Sequence, residues 1–323
     1  KFQRLPIEPV SRASAEQRKG RCGRVGEGIC IRLYSEEDFA SRPEYTDPEI
    51  LRTNLASLIL QMAALGLGAP EDFPFVDPPD TRLLNDGYRL LQELSAVDGD
   101  RRITRLGRQM ASLPVDPRLA RILLEAGRQR CLAEALVIAA FLSIQDPRER
   151  PADKADAADQ AHALFADERS DFVAVLNLWR AAVEQSAAGT RSLRRWCKEH
   201  FLSFVRMREW RDLHEQLSDI TAGQGLERNT EPASGNLLHQ SILAGFLGNI
   251  GVLDEGRTYL GARDVRFVIA PGTPLARRSP HWIVAASLVE TQRLYARMVA
   301  QVQPSWIESA GAHLVRRTYD EAQ

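Results

Sequence analysis

Apolar and polar positions recur with different periods along the 323 residues, and each change of period marks a new part of the chain. Leu51, Leu55, Leu58, Ile59, Met62 and Leu65 are three or four apart, the spacing of one helical face. Asp47-Pro48-Glu49 reads as the start of that helix, with Asp as cap and Pro in the first turn, and Gly66 and Gly68 end it. Beyond a loop marked by Pro74, Pro78 and Pro79, Leu83, Leu84, Leu90, Leu91 and Leu94 predict a second helix. Val97 to Ile103 contains Asp98-Gly99, the signal of a tight turn between short strands. Helix, helix and small hairpin outline a winged helix over residues 35–112.

Residues 113–235 read as a helical bundle. Helices are expected over Arg118 to Ala126, Leu132 to Leu142, Asp153 to Phe165, Asp171 to Glu184 and Arg191 to Leu217, with exposed connectors at 221–225 and 230–235. Residues 236–303 open on a short helix, Asn236 to Ala244, and turn strand-like over Phe246 to Leu253, Thr258 to Gly261, Val265 to Ala270 and Trp282 to Glu290. Gly and Pro punctuation at that spacing predicts a small barrel, with residues 304–323 as a C-terminal connector. Residues 1–34 look like the end of an α/β unit, with strands over Leu5 to Val10 and Gly28 to Tyr34 around a basic loop. That segment is too short to close a core alone and should complete a domain whose other parts are elsewhere. The fold expected is multidomain and mainly α with β.

Composition removes several classes. The formal net charge is -1, so the chain is not coated in basic residues, and charge has to be read by segment. No apolar run reaches the ~20 residues needed to span a bilayer, and the first residues carry no signal-peptide pattern. Cys22, Cys30, Cys131 and Cys197 match no zinc or redox spacing, and the six histidines form no metal-ligand set. Reduced thiols in a cytoplasmic protein, with no metal site, are expected. Cationic charge is nearly all arginine, which suits phosphate through its forked donors but also follows from codon bias.

Gln17-Arg18-Lys19-Gly20-Arg21-Cys22-Gly23-Arg24 carries the most chemistry. Gly20 and Gly23 allow close backbone approach. One helical turn or a similarly tight loop would point Arg21 and Arg24 the same way, with Gln17 four residues before Arg21 on that side. An amide and two forked cations suit a triphosphate and its attacking water. A surface basic loop, or a loop touching nucleic-acid phosphates, would look the same.

This octapeptide resembles motif VI, Gln-Arg-x-Gly-Arg-x-Gly-Arg, of the DEAH-box helicases of superfamily 2. Residues 29–35, 42–44, 47–52, 113–118 and 280–286 are similar to the bacterial HrpA type of that family, in the same order along essentially the whole chain. The resemblance implies the end of a second RecA-like domain over 1–34, the winged helix, a ratchet-like bundle and an OB-fold. It implies that Gln17 lies near the γ-phosphate and attacking water, and that Arg21 and Arg24 are arginine fingers. No phosphate loop and no Asp-Glu-Ala-His occur in the sequence. ATP with Mg²⁺ would therefore be held mainly by RecA-like parts outside this chain, and the chain alone should be inactive.

Two segments are candidates for touching single-stranded RNA. Over Arg191 to Arg211, basic residues including Arg194, Arg195 and Lys198 interleave with Trp196, Phe201, Phe204 and Trp210. The aromatics either stack on bases or fill a helical core. On the expected barrel, Arg263, Arg266, Thr273, Arg277 and Arg278 are candidates for backbone contacts, with solvated loop charge as the alternative. The two prolines of Leu113-Pro114-Val115-Asp116-Pro117 stiffen the joint between winged helix and bundle. The reading is part of an ATP-dependent 3′-to-5′ RNA helicase or translocase. Winged helices of related helicases also dock activator proteins, and no membrane partner is expected. The rival is a non-catalytic winged-helix and OB-fold adaptor that binds nucleic acid without turning over ATP.

Overall fold

Caps and glycines set most element boundaries in the computed structural model, which describes residues 3–4, 9–51 and 54–314. β1 (Gln3–Arg4) is followed by α1 (Arg12–Arg21), whose first turn is capped by the Ser11 hydroxyl accepting from the Ser14 amide. α2 (Glu36–Ser41) is capped by Ser35 in the same way. Residues 42–46 return along α1: the amides of Arg12 and Ala13 donate to the carbonyls of Pro43 and Glu44, and Ser11 meets Thr46 at 3.0 Å. The expected boundary at 34/35 therefore falls inside a small unit spanning residues 9–46. Neither expected strand of this part is described. Residues 5–8 lie outside the described residues, and 28–34 form no strand, because among the described residues no neighbouring strand takes up their backbone groups.

The helix expected from residue 47 starts later. A 3-10 turn occupies Glu49–Leu51, and α3 runs over Ala56–Leu65, where the Asn54 side chain accepts from the Ala56 amide. Gly66, with φ 69, ends α3 in the left-handed region that glycine adopts without strain. α4 (Thr81–Glu93) packs its leucine face on α3. The hairpin reduces to one antiparallel bridge, Val97 to Ile103, followed by α5 (Arg105–Ala111), which the patterning did not reveal.

Asp116 caps α6 (Pro117–Arg128), with Pro117 in the first turn. α7 (Leu132–Ser143), α8 (Ala155–Ala163) and α9 (Asp171–Ala187) follow. The single helix expected over 191–217 is two, α10 (Thr190–Glu199) and α11 (Phe204–Gly223). They separate at Phe201, whose φ is 53, and the freed backbone binds the 147–149 stretch through Glu149 N–H to Phe201 C=O and Ser203 N–H to Pro147 C=O, both 2.8 Å. α11 also absorbs the start of the first expected connector. α12 (Gly235–Phe246) crosses α6 closely.

The barrel comprises β2 (Ile250–Leu253), β3 (Thr258–Gly261), β4 (Arg266–Ile269), α13 (Leu275–Arg278), β5 (Trp282–Glu290) and β6 (Leu294–Gln301). β2 is shorter than expected because 247–249 continue the helical path as a 3-10 turn, and β6 was not foreseen. Pairing runs β2–β3–β4–β6–β5 and back to β2, with β4–β6 parallel, which closes a five-stranded barrel of OB topology. β1 adds parallel to β5 at Val289 and Glu290. α14 (Pro304–Ala310) then packs back on α12. One apolar core runs continuously through winged helix, bundle and the near side of the barrel, and a second, smaller one fills the barrel around Tyr259, Phe267 and Val299.

Candidate functional site

Gln17 and Arg21 are one turn apart on the last half of α1. Arg24 lies beyond its end, in a loop that closes tightly: a Cβ on Gly28 would come 2.1 Å from the Cys22 carbonyl oxygen. Only glycine fits there, and the closure sets Arg24 in the span between the two residues. Gln17, Gly20, Arg21, Gly23 and Arg24 are all exposed. No hydrogen bond or ion pair occupies Gln17, Arg21 or Arg24 among the described residues. Their neighbours differ. Glu16 pairs with Arg32 at 2.6 Å and with Lys19 at 3.8 Å, so the acid of this helix is spent on other cations. The hydrogen bond from Arg32 holds the Glu16 carboxyl below its ordinary range. Nothing lies within 4 Å of a Cβ built on Gly20 or Gly23, so these two glycines answer to no contact among the described residues. Two free guanidiniums and a free amide are left facing outward, a donor set that fits the oxygens of a polyphosphate. Among the described residues no group of His, Cys, Asp or Glu could hold a metal ion.

The two tryptophans of 191–211 are core. Trp210 is fully buried, donates its indole N–H to the Val137 carbonyl at 3.0 Å and packs edge-on against Phe141. Trp196 is also buried, against Phe165. Base stacking by these two tryptophans is thereby excluded, because the helical period turns them inward. The cations on the other face of α10 are exposed: Arg194 lies 4.9 Å over the Phe204 ring, Arg195 is 3.9 Å from Glu199, and Lys198 has no partner among the described residues.

On the barrel, Arg263 is exposed on the turn before β4 in a left-handed conformation, φ 60. Arg266 pairs with Asp254 at 3.1 Å. α13 presents Arg277, exposed and unpaired among the described residues, and Arg278, paired with Glu168. Thr273 differs from the others: its hydroxyl donates to Asp171 Oδ1 at 2.6 Å, so it is engaged inside the protein.

Asp171 is the residue that sequence reading missed, having registered only as a helix start. Its second oxygen accepts the Val299 amide at 2.8 Å. Burial pushes its carboxyl above the ordinary value, against the pull of those two donors and of Arg148. Glu93 was missed as well. Its carboxylate accepts the Gly248 amide at 2.9 Å, and its carbonyl meets the His313 ring at 2.8 Å.

Three family models match consecutive stretches: the winged-helix part of the helicase-associated domain over residues 88–115, its ratchet-like part over 116–220, and an oligonucleotide/oligosaccharide-binding fold over 238–314. The chain is 53% identical, over 99% of its length, to the ATP-dependent RNA helicase HrpA of Escherichia coli, and equally to the HrpA homolog of Haemophilus influenzae. It is 33% identical over 97% of its length to the human protein named "Probable ATP-dependent RNA helicase DHX35". The chain spans 25% of the two bacterial relatives and 44% of the human one.

Proposed function

Because the chain belongs to the DEAH-box helicases, whose C-terminal helicase-associated region it carries, we propose that it serves an ATP-dependent RNA helicase moving 3′ to 5′ on a single strand. One observation carries the reading: Gln17, Arg21 and Arg24 stand exposed, and unpaired among the described residues, on one short helix-and-loop unit. ATP, bound with Mg²⁺ chiefly by RecA-like domains of the same protein, supplies the free energy of the cycle. Arg21 and Arg24 reach its phosphates when those domains close, and Gln17 orients the attacking water. The same two cations neutralise charge on the transferring phosphoryl group, a role worth ~10³–10⁵ in rate. Glycine at 20 and 23 lets the facing lobe approach the backbone. Winged helix, bundle and barrel form a channel along the strand, with Arg194, Arg195, Lys198, Arg263, Arg266, Arg277 and Arg278 contacting its backbone. The chain by itself lacks a phosphate cradle and turns over no ATP. The protein works in the cytoplasm, and its winged helix is the surface for activator proteins.

RNA-stimulated ATP hydrolysis by the full-length protein tests the assignment. Arg24→Ala and Arg21→Ala are each expected to lower kcat by ~10³-fold or more, with RNA affinity unchanged. Turnover that survives both substitutions removes the finger assignment and favours the adaptor reading.

A further inference from the structure

The short stretch Glu168-Arg169-Ser170-Asp171, at the mouth of α9, grips the barrel with almost every group it has. Asp171 takes the Thr273 hydroxyl on one oxygen and the Val299 amide on the other. The Arg169 carbonyl accepts the Gln301 amide at 2.9 Å, Ser170 pairs with Ala300 as an antiparallel bridge, and Glu168 pairs with Arg278. Behind them the buried Ser170 hydroxyl caps α9 and meets His239 at 2.7 Å.

The barrel side is shaped to this grip. Met298 has φ 54, a left-handed conformation that a non-glycine residue adopts only when its surroundings dictate it. That twist lies immediately before Val299, whose amide faces the carboxylate. Thr273, in turn, accepts the Leu275 amide at 3.4 Å and so anchors the first turn of α13, the element that carries Arg277 and Arg278.

We propose that Asp171 is a positioning residue for nucleic-acid binding: through Thr273 it fixes α13, and so decides where Arg277 meets a backbone phosphate. This rests on the reading above that the barrel contacts single-stranded RNA. It also moves Thr273 from the contacting set to the supporting set. A carboxylate suits the role because it accepts from a hydroxyl and an amide at once. Asparagine in its place keeps the shape but offers one acceptor only.

The test uses the full-length protein and a single-stranded RNA of mixed sequence, comparing wild type with Asp171→Asn, Thr273→Val, Arg277→Ala and the Asp171→Asn/Arg277→Ala pair. Affinity is measured across a salt series, and amide hydrogen exchange is followed over 271–279. Asp171→Asn and Thr273→Val should each weaken binding three- to tenfold, with exchange faster over 271–279. The salt slope should become shallower by about 0.7, the loss of one single-strand phosphate contact. The paired variant should bind no worse than Arg277→Ala alone. If Arg277→Ala weakens binding but Asp171→Asn and Thr273→Val change neither affinity nor exchange, the positioning role is overturned. If Arg277→Ala itself leaves affinity and slope untouched, the barrel reading beneath it fails, whatever the exchange data show.

Discussion

Burial holds His239 neutral at ordinary pH, its pKa lowered to about 4. Its partner is the neutral Ser170 hydroxyl, and burial there penalises the charged ring. The unfolded chain protonates this histidine near pH 6.5 and the folded chain only near 4. Between those values the unfolded state binds more protons, so stability falls as pH falls and is complete above about 6.5. His214 is lowered to about 4 by burial as well, and adds in the same direction. Thermal unfolding followed from pH 7.5 to 4.5 should show a falling Tm, and His239→Gln should flatten the fall, by up to about 2–3 kcal/mol at the acid end. An unchanged slope in the variant would remove His239 as the source. At this scale the sequence was uneven. Gln17, Arg21 and Arg24 stand out as candidates because their relation is local, one turn of helix and the loop after it. Asp171 could not, because the groups that give it meaning, Thr273 and Val299, lie 102 and 128 residues further on.

Helices announced themselves by period, and the end of α3 by the left-handed Gly66. What patterning could not see was tertiary interruption. The break between α10 and α11 exists because residues 147–149 capture the backbone there. β6 alternates only weakly, with three consecutive residues from Met298 to Ala300 turned toward protein, since it serves the barrel and the bundle at once. The crossing of α12 on α6 is the tightest test of element packing. A Cβ on Gly245 would come 2.4 Å from the Arg118 carbonyl oxygen and 2.6 Å from Ile122. Backbone cannot yield as a side chain can, so Gly245→Ala should cost about 1–3 kcal/mol or more by chemical denaturation. Gly223→Ala, where nothing lies within 4 Å on the last turn of α11, is the matched control and should be neutral or slightly stabilising. Equal effects at both sites would argue against a close crossing.

Over the whole molecule the net charge of -1 conceals a local asymmetry. α10 and α13 set exposed cations outward, while carboxylates such as Glu93, Glu134 and Asp171 turn inward to bind backbone or side-chain donors. RNA binding should therefore weaken steeply with salt although the protein as a whole is near neutral. If the seven cations proposed to contact the strand each meet one phosphate, log affinity should fall with log salt at a slope of about −5. A flat response would count against the channel. The three folded parts share one apolar core, which makes them a single body rather than beads.

Glu93 has one consequence for that body. It meets the barrel at Gly248 and the chain beyond it at His313, so the polypeptide is fastened, near its far end, to its own first third, like a belt buckled close to where it began. A protease that nicked the exposed Glu227–Arg228 bond would sever the strap without opening the buckle. The two pieces would stay clasped through α6 and α12, and the cut protein would keep its outline.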